Sequence, residues 1–172
     1  MKRLPDLTGK TVLVVGAIPC DISGTARDYT IAASGGVKNA PSADMLVTID
    51  NNMAHVEGWS ERDFGGVRVT GIPSADPAHI HIALPYESVQ VAPGNVIHAR
   101  NNAISAIRIA AERGAKRVLL AGFDLAAYDK QCAPLGYEGV LVNALPALIS
   151  EFAARGVVVE YAPQQQQRKR IA

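Results

Sequence analysis

The chain has 172 residues, of which 48% are hydrophobic and 19% are charged, and its formal net charge is +1. This size predicts one domain with a single substantial core. The composition is typical of a globular protein and excludes an intrinsically disordered one. The near-neutral charge argues against a dedicated nucleic-acid binder, which normally carries a clear basic excess.

The N-terminal ten residues, MKRLPDLTGK, lack the apolar segment of a secretory signal. No apolar run reaches the roughly 20 residues that span a bilayer. Cys20 and Cys132 lie far apart and form no CxxC pair, so a disulfide framework is not indicated and a cytosolic setting is expected. Residues 164–172, QQQQRKRIA, predict a disordered polar and basic tail after a domain of residues 1–163.

Short, continuous apolar runs recur along the chain and predict the strands of a sheet. Runs rich in Val, Ile and Leu suit parallel strands that are buried on both faces. They occupy residues 11–16, 29–34, 45–50, 66–71, 117–122 and 156–161. The alternating stretch 79–84 predicts a further short strand, and the rest of 72–96 predicts turns and excursions at the sheet edge or over the site.

Two helices are predicted from apolar stripes with a period of 3.6 residues. The first covers residues 101–114, with an asparagine cap at its start and Gly114 at its end. The second covers residues 143–156, with Asn143 as its cap and Pro146 in its first turn. Each leads into an apolar strand, which is the βαβ pattern. We therefore predict a single Rossmann-like α/β domain, with a mostly parallel sheet and helices on both faces.

In an open parallel sheet, ligands bind beyond the carboxyl ends of the strands, and polar or small residues follow four of the predicted strands. Gly16 allows close approach of a ligand to the backbone, or forms a plain turn. Ser34 and Gly35 can contact a phosphate or ribose, or form a flexible turn. Asp50 can hold a ribose hydroxyl, a metal or an acceptor, and Asp124 can face the crevice or tie down a neighbouring loop.

The start of the helix at 101–114 is the best candidate for an anion site. A helix amino terminus offers unpaired N–H groups and a partial positive charge. Arg100 adds a full charge there, and Asn101 and Asn102 add hydrogen-bond donors. Ordinary capping accounts for only one of these two asparagines, so we expect the segment to bind the phosphates of a ligand.

His79 and His81 fall on one face of the predicted strand because side chains alternate along a strand. An HxH pair can bind a metal ion, but no cysteine, glutamate or third histidine stands nearby in the sequence. We therefore favour a solvent-facing edge strand over a metal site.

The stretch NNAISAIRIAAERGAKRVLLAGFDL (101–125) resembles the helix–strand signature of bacterial sialyltransferase-like proteins. This group includes the Maf-type glycosyltransferases and the 6-hydroxymethylpterin pyrophosphokinase-like proteins. VLVVGAIPC and IAASGGVKNAPSADMLVTIDN precede that stretch in the family's order, so the resemblance covers most of residues 11–125. It implies a Rossmann-like domain that binds a nucleotide sugar such as CMP-sialic acid, or ATP as in the pterin kinases.

The resemblance also implies roles by position. The first loop of the family matches Gly16 and Pro19, the turn after the second strand matches Ser34 and Gly35, and the acidic stretch matches Asp44 and Asp50. Asn102 and Ala103 lie where the family's phosphate-facing helix begins, and Asp124 matches the end of the GxD motif. The family's GxGPS loop has become Gly16-Ala17-Ile18-Pro19-Cys20 here. In the sialyltransferases, a longer insert after the GxD motif supplies a lid and a catalytic histidine. Residues 125–139 take the place of that insert here and contain no histidine, so Tyr128 and Tyr137 are the candidates to replace it.

Three functions follow as expectations. The first is a glycosyltransferase that binds a CMP-linked or other nucleotide-activated sugar, with Asp50 or Asp124 orienting an acceptor hydroxyl or a metal. The second is a non-catalytic module that retains the fold for nucleotide sensing or assembly. The third is a Mg²⁺-dependent, pyrophosphokinase-like enzyme. The short chain is similar to stand-alone, phage-type members of such families, and the sequence leaves homo-oligomer formation open.

Overall fold

A computed structural model describes residues 3–48, 64–71, 79–82, 87–99, 101–132, 134 and 139–163. Its nine strands are β1 (Thr11–Val15), β2 (Tyr29–Ala33), β3 (Met45–Thr48), β4 (Val67–Thr70), β5 (His79–His81), β6 (Glu87–Ala92), β7 (Asn95–Ala99), β8 (Arg117–Ala121) and β9 (Val158–Tyr161). Its α-helices are α1 (Asn102–Glu112), α2 (Leu125–Cys132) and α3 (Val140–Ala154), and a 3₁₀ helix covers Ser34–Lys38. None of these helices has the length and apolar character that crossing a membrane requires.

Seven of the strands form one sheet in the order β5-β4-β3-β2-β1-β8-β9, and every neighbouring pair is parallel. β6 and β7 form a separate antiparallel hairpin. The predicted α/β class and parallel sheet are confirmed. The continuous Val, Ile and Leu runs gave the strands because the central strands are buried on both faces.

The alternation of side chains along each strand divides the core into two clusters. On the first face, Val12, Val14, Val118 and Leu120 pack with α1 and α3 around Ile104, Ile107, Leu145 and Phe152. On the second face, Leu13, Val15, Leu46 and Leu119 pack with Val37, Ala40 and Phe64. α1 is buried nearly all round because it packs against both the sheet and α3.

Helices on the second face are not confirmed. Among the described residues, this face is covered by the 3₁₀ helix at Ser34–Lys38, the extended connection between β1 and β2, and side chains such as Cys20 and Ile22. The connection from β1 to β2 contains no α-helix. The sequence between these strands is rich in turn formers, with Pro19, Asp21, Ser23 and Gly24 spaced along it.

Two aspartates join neighbouring strands at their amino ends. Asp28, just before β2, accepts a 2.8 Å hydrogen bond from the Thr11 N–H through Oδ2, and its own N–H donates to the Thr11 carbonyl at 2.8 Å. Asp44, just before β3, does the same with Thr30, at 2.7 and 3.0 Å. These paired bonds satisfy the backbone N–H and C=O groups of Thr11 and Thr30, at the amino ends of β1 and β2.

The structure differs from the prediction in three elements. α3 begins at Val140, three residues before the predicted start, because Val140 and Leu141 extend the buried stripe. Its N-cap is therefore Gly139 with a φ of 76°, while Asn143 lies inside the helix and donates to the Gly139 carbonyl at 2.7 Å. Pro146 lies in the helix interior and not in its first turn. The helix α2 and the hairpin β6–β7 were not predicted.

Candidate functional site

The carboxyl ends of β1 and β8 meet where the strand order reverses. The chain steps outward from β1 to β5 on one side, and β8 and β9 lie on the other. Such a reversal is where open α/β sheets form their ligand crevice. The loops after β1 and β8 surround this point. The amino end of α1 also lies here, because the carboxyl end of α1 leads by a short turn into the start of β8 at the opposite edge of the sheet.

At the reversal of strand order, the backbone of Gly16 contacts the backbone of the loop after β8. Its N–H donates to the Ala121 carbonyl at 2.7 Å, and the Ile18 N–H donates to the Gly122 carbonyl at 3.3 Å. A Cβ on Gly16 would lie 2.5 Å from the Gly122 oxygen, and Gly122 has a φ of 73°. Gly16 is therefore required for the close approach of the β8 loop. Of the two roles expected from the sequence, a plain turn or contact with a ligand, the ligand contact stays a prediction.

Asn39 holds the same loop from the other side. Its Nδ2 donates to the carbonyl oxygens of Gly16 and Ile18, both at 2.9 Å. The Asn39 N–H in turn donates to the Gly36 carbonyl at 3.0 Å. A Cβ on Gly36 would collide with the Val15 carbonyl oxygen. The ends of β1, β2 and β8 are thus packed backbone to backbone.

Ser34 and Gly35 begin the 3₁₀ helix directly after β2 and are both half-buried. Ser34 has a φ of 47°, which makes it the one non-glycine residue in the described part of the chain with a positive φ. Backbone in this region is costly for a residue with a Cβ, and such conformations are concentrated at functional sites. Pro19 is exposed in the loop after β1.

Asn101 is the N-cap of α1. Its Oδ1 accepts from the N–H groups of Ala103 and Ile104 at 2.8 and 3.2 Å, and its carbonyl accepts from the Ser105 N–H at 2.9 Å. Its Nδ2 donates to the Tyr128 hydroxyl oxygen at 3.2 Å. Asn101 therefore ties α1 to α2, and Asn102 is the first helical residue, half-buried beside it.

Asp124 begins α2 in the same manner. Its Oδ1 accepts from the N–H groups of Ala126 and Ala127, both at 3.1 Å, and the side chain is exposed. Burial, and second the negative charge of Asp124, raise the pKa of Tyr161 at the end of β9. Asp124, Tyr128 and Tyr161 therefore gather at the carboxyl edge next to Asn101.

Among the remaining predicted residues, Asp44 does not join this group. Asp50, Arg100 and Tyr137 lie outside the described residues. Asp44, which the resemblance placed in the acidic stretch, lies at the amino end of β3, the opposite edge of the sheet. An open depression of about 460 Å³ is lined there by Asp44, Ser42 and Gly66 among others. It faces away from the reversal of strand order.

The part of the chain that the structure describes holds no group of three or more His, Cys, Asp or Glu side chains placed to bind a metal ion. The structural contacts of Asn39 and Gly122 were not predicted from the sequence. Nothing in the sequence around Asn39 indicates that its side chain donates to Gly16 and Ile18 in a distant loop. Gly122 has a positive φ and lies against the backbone of Gly16 and Ile18, and the local sequence does not show that distant contact.

The comparisons with known proteins give no family for the chain, because no protein-family model, no curated protein and no solved structure matches it.

Proposed function

We propose that the chain binds a nucleotide-activated sugar at the carboxyl edge of its sheet and transfers the sugar to an acceptor. The single observation behind this proposal is the convergence at the β1/β8 reversal. The amino end of α1, the Asp124 carboxylate and the Tyr128 hydroxyl all lie beside it. The resemblance of residues 101–125 to sialyltransferase-like proteins supports a CMP-linked donor.

In this proposal the donor phosphate lies against the first turn of α1. Asn101 already satisfies two N–H groups of that turn with its side chain and a third with its carbonyl. The partial positive charge of the helix end and the Asn102 side chain are then the attractive groups. The Tyr128 hydroxyl accepts from Asn101 Nδ2 and therefore lies beside the same turn.

The acceptor hydroxyl lies near Asp124. One carboxylate oxygen is held by two backbone N–H groups, so the orientation of the other is fixed. A fixed carboxylate positions a nucleophile without reorganisation during the reaction, which is how sites of this type gain rate.

Binding is tested by a thermal-shift series with CMP, CMP-sialic acid, UDP, GDP and ATP, each with and without Mg²⁺. A ligand at 100 times its Kd stabilises the native state by about 2.7 kcal/mol, which corresponds to roughly 5–10 °C in Tm for a chain of this size. Tyr128→Phe should reduce the shift, and Tyr29→Phe, at the amino end of β2, should not. A flat response to all five nucleotides contradicts the proposal.

Transfer is tested separately by ³¹P NMR of CMP-sialic acid with the protein and a sugar acceptor. Release of CMP that is lost in Asp124→Asn, with the thermal shift retained, is the result expected of a transferase. A shift with ATP and Mg²⁺ alone would instead indicate the pyrophosphokinase-like activity.

A non-catalytic nucleotide-sensing module is the second candidate, and a specific observation favours it. Three of the candidate site residues have structural roles. Gly16 makes a close backbone contact, and Asn101 and Asp124 cap the helices α1 and α2. A protein that binds CMP yet releases none from CMP-sialic acid would be assigned to this class.

A further inference from the structure

The open depression at the amino edge of the sheet lies between the entrances of β3 and β4. Its volume is about 460 Å³, and its walls include Ser42, Asp44, Gly65 and Gly66. Sites for small molecules typically have volumes of roughly 300–1,000 Å³. The depression lies at the edge opposite to the β1/β8 reversal, so a ligand here would not belong to the site of the proposed function.

Two adjacent glycines shape one wall of the depression. A Cβ on Gly66 would lie 2.5 Å from the Asp44 carbonyl oxygen and 2.8 Å from that of Ala43, so Gly66 lets the chain before β4 pack directly on the backbone that leads into β3. The Val67 N–H extends this contact by donating to the Asp44 carbonyl at 2.8 Å. A Cβ on Gly65, in contrast, would meet nothing within 4 Å. The absence of a side chain at Gly65 therefore leaves space at the wall.

Asp44 supplies a negative charge whose position is fixed. Its Oδ2 accepts the hydrogen bond from the Thr30 N–H at 2.7 Å, and its Oδ1 accepts none within the part of the chain that the structure describes. The residue is exposed. None of the ion pairs between described residues includes Asp44. Its charge is therefore available to a ligand.

The chemistry of the walls favours a ligand with a primary ammonium group. Such a group carries a positive charge and three N–H donors, and it has no acceptor. Among the described residues that line the depression, Asp44 alone is charged, and Ser42 adds a hydroxyl. The Asp44 charge repels an anion. A Ca²⁺ ion takes about six to eight oxygen ligands, and the same set of lining residues offers no second carboxylate.

We propose that this depression binds a small molecule through its primary ammonium group, which donates a hydrogen bond to Asp44 Oδ1 in an ion pair. The space beside Gly65 accommodates the rest of the molecule, and the Ser42 hydroxyl is placed to bond a second polar group on it. The site does not depend on the proposed function.

The site is tested by NMR with ethanolamine titrated into the full chain at constant pH and ionic strength. The backbone amides of residues 42–44 and 65–67 should shift and saturate. Ethylene glycol, which has a hydroxyl in place of the ammonium group, is the neutral match and should bind more weakly. An equal response to ethylene glycol overturns the assignment to an ammonium group. Tighter binding of CaCl₂ at the same amides assigns the depression to a metal ion and also overturns it.

Asp44→Asn removes the charge but leaves an amide oxygen that can accept from the Thr30 N–H. It should weaken ethanolamine binding by roughly two- to five-fold, which is the range of an exposed ion pair. Asp28→Asn is the matched control, because Asp28 makes the same two hydrogen bonds to Thr11 and is not among the residues that line the depression. The control should leave the affinity unchanged, and equal weakening in both variants overturns the proposal.

Gly65→Leu tests the site without a change of charge. The new side chain starts in open space at the wall of the depression, so it should weaken ethanolamine binding while Tm changes little. If Asp44→Asn does not fold, this variant and the wild-type shifts decide. An unchanged affinity in Gly65→Leu, or saturating shifts confined to other parts of the chain, overturns the proposal.

Discussion

Replacing Gly16 with alanine distinguishes a structural glycine from a ligand-facing one. The new Cβ would lie 2.5 Å from the Gly122 oxygen and close to the Phe123 ring, at 3.4 Å. Real Cβ atoms essentially never approach a heavy atom within 3.0 Å, so the loops after β1 and β8 must separate by about half an ångström or more. The contact is between two backbones, and no flexible side chain can move aside.

The cost has two parts. Overpacking of a close-packed site costs about 1–3 kcal/mol. Separation of the loops also weakens the hydrogen bond from Gly16 N–H to the Ala121 carbonyl, now 2.7 Å long, and a bond of this kind contributes about 0.5–1.5 kcal/mol. Together they lower the free energy of unfolding by about 1.5–4.5 kcal/mol. For a chain of this size, this lowers Tm by roughly 3–18 °C.

The assay is a thermal melt followed by circular dichroism, with urea unfolding to give the free energy. Gly65→Ala is the matched control, because a Cβ on Gly65 meets nothing within 4 Å and this glycine has no positive φ. The control should melt within about 2 °C of the wild type. A Gly16→Ala protein with the wild-type Tm and impaired CMP binding would refute the structural explanation and show that a ligand occupies this position.

Three further predictions concern residues with defined partners. Asn39→Ala removes two hydrogen bonds to the β1 loop and should cost about 1–3 kcal/mol, whereas Asn143→Ala, on exposed α3 surface, should cost less in the same urea assay. Burial, and second the Asp44 charge, raise the pKa of Tyr29 to about 12. The contribution of the Tyr29 phenol to the free energy of unfolding is fully present below pH 10, and it is lost as the pH rises through about 12. Tyr29→Phe should remove a step near pH 12 from the absorbance titration at 295 nm, and an unchanged titration would contradict the assignment. The hydrogen bond from Arg108 lowers the pKa of Glu151, so its stabilisation is present above about pH 4.5 and lost below. Because Glu151 is largely exposed, Glu151→Gln should lower stability at pH 7 by less than about 1 kcal/mol. The difference from the wild type should shrink as the pH falls below about 4.5, and a gap that stays constant with falling pH would rule out the ion pair as its source.

The strands were predictable because their signal is local. Buried parallel strands require continuous apolar runs, and those runs mark β1, β3 and β8 to within a residue or two at their described ends. The hairpin β6–β7 also had a local signal, the Pro93-Gly94 turn between two alternating segments. That signal was interpreted as an interruption because the segments are short.

The candidate site was less predictable because its contacts join distant parts of the chain. Asp124 and Asn101 were selected as polar residues at element ends, and polar residues at such positions also make good helix caps. The sequence pattern of a cap and that of a ligand contact are the same here. Asp44 was assigned to the site although it precedes β3. The carboxyl ends of the strands form the site, so an acidic residue lies there only if it follows its strand.

The aspartates at the entrances of β2 and β3 have a consequence for folding fidelity. A slip by one position in a parallel pairing would exchange the side chains of the two faces, so that Ile31 would leave the cluster around α1. Asp28 and Asp44 each make two hydrogen bonds to one residue of the preceding strand. A shifted pairing would break both hydrogen bonds at once. Each aspartate therefore favours the correct register, although it contributes nothing to the apolar core.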